Sequence, residues 1–433
     1  MNAADLNSVI FLQIFVILAA CRATGWILKR LFDQPQVMGE MIAGILLGPS
    51  LLGFYFPEFQ TLLFPPQTRI VLHFLSQLGI GLYMFVVGLQ FRADHFRGTA
   101  QSAVFISSWG IAAPFLGAIA LTPWLAGMGL FGSGLDSLQA TLFLGAAMSI
   151  TAFPVLARIV EERGLTKTAL GTLALSAGAI DDAVAWMVLA LLLASLGAGP
   201  LVAVKALAGG GLFALVMLGF GRRIFSPLGR WAERAGGVPP QLLAIALLTF
   251  ALCAWAMDGV GLHAVFGGFL LGVAMPRGQL SQGLARAVEP LSTALLIPMF
   301  FTYSGLHTRL FLLADGHLLA AAVAILLVSI AAKMFACWAA ARMTGQDNPT
   351  ALAVGSLMNA RGMMELIIIN IGLQRGIISP ALFSMLALMA IATTLMTSPL
   401  FEFVYGRHAR TRGTLGQVPE EETPAIKQAR RLI

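Results

Sequence analysis

Charge is what this sequence most lacks. Its 433 residues include 27 Lys and Arg and 20 Asp and Glu, 11% of the chain, where a soluble chain carries about one quarter. With 58% hydrophobic residues, that deficit excludes a soluble enzyme or a nucleic-acid binder as a reading of the whole chain. Cysteine is scarce as well. Cys21, Cys253 and Cys337 lie in apolar segments without CxxC spacing, which excludes a disulfide framework and a structural zinc site. The histidines, His73, His95, His263, His307, His317 and His408, are scattered and lack HExxH spacing, so no metal-enzyme site follows. The opening MNAADLNSVIF has no basic segment and no small-residue cleavage site, so the first apolar stretch is expected to be retained. Alternating polarity in segments of about ten residues, the mark of a transmembrane barrel, is missing too.

What is present is a succession of apolar stretches of about 18 residues or more, each long enough to cross a hydrocarbon core of about 30 Å. They predict an all-α polytopic membrane protein with 13 transmembrane helices, at 8–30, 36–53, 70–91, 99–121, 138–160, 168–196, 200–221, 239–257, 259–276, 287–306, 317–342, 349–374 and 379–405. The second is barely long enough, and the link at 257–260 is tight, so twelve is the competing count. Charge placement favours thirteen. With the N-terminus outside, twenty Lys and Arg fall in inner loops and the tail, against four outside (Arg69, Lys205, Arg309 and Arg375), as the positive-inside rule requires. The surplus of positive charge therefore marks cytoplasmic loops and needs no nucleic acid partner.

An odd count permits two inverted six-helix repeats joined by a linker helix. The fifth span carries Ser149-Ile150-Thr151-Ala152-Phe153-Pro154 at mid-depth, and its symmetry mate, the twelfth, carries Asn359-Ala360-Arg361-Gly362. Proline removes a helical donor and glycine loosens the backbone, so both spans are expected to break. Paired breaks of this kind mark the central ion or substrate site in transporters.

The sixth span contains Asp181 and Asp182 between apolar turns. An ionisable group at that depth faces a cavity or a partner. Adjacent helical residues point about 100° apart, so the two carboxylates need different surroundings. Lys333, the single lysine in mid-span, needs a carboxylate beside it and is paired here with Asp181, leaving Asp182 to titrate. The sequence by itself leaves the reverse assignment open. Arg361 and Glu365 are spaced i,i+4 on one helix face and read as a structural ion pair bracing the broken helix. Ser149, Thr151 and Asn359 offer neutral oxygens suited to a hard alkali cation, although such residues also serve ordinary helix contacts. Glu40 and Arg22, close to span ends, read as side chains that snorkel to the interface.

Five strings together resemble the monovalent cation–proton antiporter superfamily, the branch of bacterial sodium/proton antiporters, Kef-type potassium systems and plant cation/proton exchangers. They are GEMIAGILLGPSLLG at 39–53, LSQLGIGLYMFVVGLQF at 75–91, SITAFPVLARIVEERGL at 149–165, GAIDDAVAW at 178–186 and LMNARGMMELIIINIGL at 357–373. The resemblance implies a homodimer with a dimerisation panel (1–91 and 231–312), a moving core domain (92–196 and 313–405) holding crossed broken helices, a linker helix (197–230) and a cytoplasmic tail (406–433). It implies Asp182 as the site of the cation and the proton, Asp181 as the partner of Lys333, and an elevator-type shift exchanging Na+ or K+ for H+. No cofactor is implied. Kef-type systems usually append a nucleotide-binding domain; the tail expected here is too short for one. The rival readings are a cation channel or a regulated potassium efflux system. An intramembrane aspartyl protease is disfavoured because its two carboxylates must converge on one water. The short loops and the Ala/Gly/Leu-rich composition suit a bacterial inner membrane, with the C-terminus cytoplasmic.

Overall fold

Prolines and short polar side chains set many of the helix starts. Asp136 opens one helix with a reciprocal capping box, accepting from the Gln139 amide at 2.7 Å while its own N–H reaches the Gln139 side chain at 3.2 Å. Asp315 and Ser379 cap two others. Such caps satisfy amides that the first helical turn leaves free. Proline occupies the first turns of nine helices, where its missing N–H costs nothing.

The structure is a computed structural model that describes residues 3–32, 34, 36–90, 100–165, 168–195, 200–260 and 264–406. Its helices in chain order are α1 (Ala3–Phe32), α2 (Gln36–Leu47), α3 (Leu52–Tyr55), α4 (Pro57–Leu63), α5 (Pro66–Gln90), α6 (Ala100–Gly127), α7 (Ser137–Ser149), α8 (Phe153–Glu162), α9 (Ala169–Ser195) and α10 (Pro200–Ile224). Then follow α11 (Ser226–Ala235), α12 (Pro240–Gly259), α13 (Ala264–Ala274), α14 (Gln279–Leu291), α15 (Ile297–Gly305), α16 (Gly316–Met343), α17 (Asn348–Leu357), α18 (Met363–Gln374) and α19 (Pro380–Phe401). Among the described residues no sheet forms, and one antiparallel bridge joins Phe131 to Ile378.

Nine helical stretches among the described residues are long and apolar enough to cross a membrane. The protein is therefore a multi-pass membrane protein. The other intervals expected to span are helical too: α7 with α8, α9, the short α13, and α17 with α18. Sequence reading missed α3 and α4, two short helices after α2, and α11, an amphipathic helix directly after α10. It also started the tenth span too late, because α14 begins at Gln279 and runs through a π turn at 292–296 into α15. The expected tail beyond Gly406 and the loop charges Arg92, Arg97 and Lys167 lie outside the described residues, as do His95, His263 and His408.

Packing joins α5 to α13, α14 and α15, and α2 to α1 and α15. A second set joins α6 to α7, α9 and α16, and α16 to α17 and α19, while α10 touches both α9 and α13. Glu40 does not snorkel: it is buried within α2, whereas Arg22 is exposed. The three cysteines are buried and unpaired, serving as apolar packing.

Close backbone approach explains one glycine in particular. A methyl group on Gly44 of α2 would collide with the Phe301 carbonyl of α15. Gly44→Leu is expected to destabilise the protein by about 1–3 kcal/mol, read as a lower melting temperature of the purified protein. Gly211→Ala, on α10 where a methyl meets nothing, should leave melting unchanged or raise it, since Ala outranks Gly in a helix.

Candidate ion-binding site

Two helices stop in mid-span. Pro154 has no N–H to offer the Ile150 carbonyl; α7 ends at Ser149, Ile150 is extended, and α8 restarts at Phe153. On the other side α17 ends at Leu357 and α18 starts at Met363, after Gly362 at φ 155°, ψ −126°, a conformation open to glycine. The two unwound segments lie against each other: the Ala152 N–H donates to the Ala360 carbonyl at 2.9 Å, and Thr151 Oγ1 donates to the Met358 carbonyl at 2.9 Å.

Each break exposes carbonyls at one end and amides at the other, deep in an apolar layer, and these groups must find partners. At the α7 end two cations supply them. Arg361 donates to the Ala147 carbonyl at 2.9 Å and to the Met148 carbonyl, and Lys333 donates to the Ser149 carbonyl. Positive charge there also complements the negative end of the helix dipole. Arg361 further contacts Ser329 Oγ and stands 3.4 Å from Glu365 Oε2, while its backbone N–H donates to Thr394 Oγ1 at 2.9 Å. The guanidinium is fully buried, so its role exceeds the expected pair with Glu365: it closes the end of α7. At the α17 end, Asn359 Nδ2 donates to the Gly355 carbonyl at 2.9 Å.

Asp181 is saturated. Lys333 Nζ lies 2.7 Å from its Oδ2, both side chains fully buried. Thr151 Oγ1, whose one proton is shared with the Met358 carbonyl, lies 2.8 Å from the same oxygen, and Ser107 Oγ of α6 donates to Oδ1 at 2.5 Å. Asp182, one residue on, has a different environment. The Phe153 amide, at the N-terminus of α8, donates to its carboxyl, yet Oδ1 has no hydrogen-bond partner. Asp182 lines a cavity of about 20 Å³ together with Met84 of α5, Phe153, Ala179, and Val265, Phe266 and Phe269 of α13, which is room for a water-sized body. That cavity lies between the two packing sets.

The structure thus gathers Asp181, Lys333, Thr151 and the backbone of Ser149 into one cluster. The Ser149 hydroxyl turns back to the Ala146 carbonyl of its own helix at 3.1 Å. Asn359 Oδ1 is buried without a partner, and neither Asn359, Thr151 nor Ser149 lines the Asp182 cavity. Sequence reading missed Ser107, Ser329 and Thr394, whose hydroxyls are indistinguishable in sequence from packing residues of any membrane helix. It also missed a stack on α5 and α15, where the ring of Tyr303 lies 4.8 Å from both His73 and His307.

The family model described as sodium/hydrogen exchanger, transmembrane, matches residues 14–403. The chain belongs to the sodium/hydrogen exchanger family. Among its relatives, the Na(+)/H(+) antiporter NhaS4 of Synechocystis is 38% identical over 405 residues, covering 93% of this chain and 98% of that one. The K(+)/H(+) antiporter 1 of Saccharomyces cerevisiae is 30% identical over 421 residues, 93% of this chain but 47% of its own length; the chain spans about half of that relative. The sodium proton antiporter MjNhaP1 of Methanocaldococcus jannaschii superposes with a TM-score of 0.65 over 96% of this chain and 100% of that one, at 14% identity. At that identity the likeness speaks for the fold alone.

For this family member the ion pair gives a direct test. Lys333→Ala strands the Asp181 carboxylate and the Ser149 carbonyl, and removing one partner of a buried pair costs about 3–5 kcal/mol. Melting of the purified variant should fall steeply. Lys333→Ala combined with Asp181→Asn should recover a large part of the loss, because no buried charge is then left alone.

Proposed function

We propose that this chain is a secondary transporter exchanging a monovalent cation, Na+ or K+, for protons, with Asp182 as the site that holds either one. One observation carries the reading: of two adjacent buried carboxylates, Asp181 is fully engaged by three donors while Asp182 presents an unpartnered oxygen to a cavity. A carboxylate left charged and unpaired in a low-dielectric site is costly; binding a proton or a small cation removes that cost. Competition for one carboxylate, combined with access from each side in turn, couples the two fluxes.

The cavity lies where α5 and α13 meet α8 and α9, the boundary between the proposed dimerisation panel and the proposed core. An elevator-type shift of the core past the panel would carry Asp182 from one side to the other, with α10 as the linker. Thirteen crossings in two inverted repeats, a homodimer, and a bacterial inner membrane with the N-terminus outside complete the proposal. The membership of the family and the Na(+)/H(+) and K(+)/H(+) relatives support exchange over a channel. Thr151 and Asn359 belong in this scheme to the scaffold around Asp181 and the crossing, with the cation held at Asp182.

In proteoliposomes carrying an imposed pH gradient, Na+, K+ and Li+ are added in turn; in the Na+ and Li+ assays equal K+ on both sides with valinomycin clamps the voltage, and the K+ assay is run without valinomycin. Wild-type protein should dissipate the gradient with one or more of these cations. Asp182→Asn should reduce the response to that of empty liposomes while melting at or above the wild-type temperature, since its Oδ1 makes no hydrogen bond to lose. Normal exchange in the variant would overturn the assignment, and single-channel currents would replace exchange with a channel.

A further inference from the structure

The linker helix α10 presents an apolar face outward, with Leu212, Leu215, Leu218, Phe220 and Ile224 between 52% and 64% exposed. That face is the surface a helix shows to acyl chains. It stops at Ile224, the last residue of α10, and the chain turns at Phe225 into α11. Arg222 and Arg223 end α10, and Arg230 and Arg234 stand on α11; all four are exposed. Trp231, 39% exposed, lies between the last two. Among the described residues none of the four guanidinium groups makes an ion pair or a side-chain hydrogen bond, and Glu233 is the one acid on α11.

The opposite face of α11 is fixed to the body of the protein. Gly229 and Ala232 are buried, and α11 packs on α14. A methyl group on Gly229 would meet Pro276 at 3.1 Å, so the helix lies close against the turn after α13. Just past α11, Gly283 of α14 sits against Val238, a second close contact between this segment and α14. The result is a helix held against the body of the protein with four exposed arginines on it and on the end of α10, where the apolar surface ends.

We propose that this patch is a docking surface for anionic phospholipid headgroups. The partner follows from charge and depth together: exposed guanidinium groups pair bidentately with phosphate, an exposed Trp is suited to the interface, and the continuous apolar face of α10 delivers the patch to the headgroup layer. Basic clusters immediately next to a membrane helix attract anionic lipid. Lipid held there ties α10 to α14, and so holds the linker against the neighbouring helix set. The inference does not depend on exchange at Asp182 or on which side of the membrane α11 occupies, because lipid binding is measured in detergent.

The test uses the full chain in neutral detergent, titrated with phosphatidylglycerol or phosphatidylcholine in mixed micelles while melting is followed. Phosphatidylglycerol should raise the melting temperature of wild type by several degrees and phosphatidylcholine should not. In Arg222→Gln/Arg223→Gln/Arg230→Gln/Arg234→Gln the shift should fall by more than half. In Arg309→Gln/Arg375→Gln, exposed arginines elsewhere, it should persist. Phosphatidylglycerol retained through purification, measured by mass spectrometry, should drop in the fourfold variant alone, which keeps the result readable if that variant melts lower from the start. Equal shifts in wild type and fourfold variant, an equal shift with phosphatidylcholine, or the same shift with inorganic phosphate or an acidic peptide would each overturn the proposal.

Discussion

The structure depends on satisfying backbone groups that two broken helices leave bare in an apolar layer. Intact membrane helices satisfy their own carbonyls and amides; α7 and α17 give that up in mid-span. Arg361 and Lys333 take over the carbonyls at the end of α7, Asn359 and Thr151 those at the end of α17, and Phe153 at the start of α8 turns its amide to Asp182. The breaks therefore require buried cations, and the cations in turn require buried anions. Glu365 answers Arg361, and Asp181 answers Lys333.

This chain of requirements separates the two aspartates. Helical geometry turns neighbouring side chains about 100° apart, so one points into the polar crossing and the other away from it. Asp181 is consumed by neutralising Lys333 and accepting from Thr151 and Ser107. Asp182 receives one amide, from Phe153, and otherwise meets phenylalanines and a small void, so its Oδ1 stays uncompensated unless something enters. Two different carboxylate environments, one saturated and one with an open oxygen, arise from one dipeptide by orientation alone.

The same economy holds at the periphery. The small residues of α2, α15, α5 and α13 bring backbones into close contact, and their glycines meet carbonyls across the contact. The second set, α6 to α9 with α16 to α19, adds the polar crossing to its apolar core. The Asp182 cavity lies on the seam between the two sets, lined by residues of both.

The sequence by itself determined that the chain crosses a membrane many times, that two spans break at Pro154 and Gly362, and that Asp181, Asp182, Lys333, Arg361 and Glu365 carry the buried charge. Those features are legible because lipid punishes charge and imperfect helices so heavily that each exception stands out along the chain. What only the tertiary structure decided is which group answers which: that Ser107 completes Asp181, that Arg361 closes α7 as well as pairing with Glu365, that Glu40 is buried, and that α11 packs on α14 with its arginines exposed. Hydroxyls and short amphipathic helices carry no penalty that marks them in sequence, and hydrogen bonds between residues 74 or 214 positions apart exist only once packing has brought the helices together.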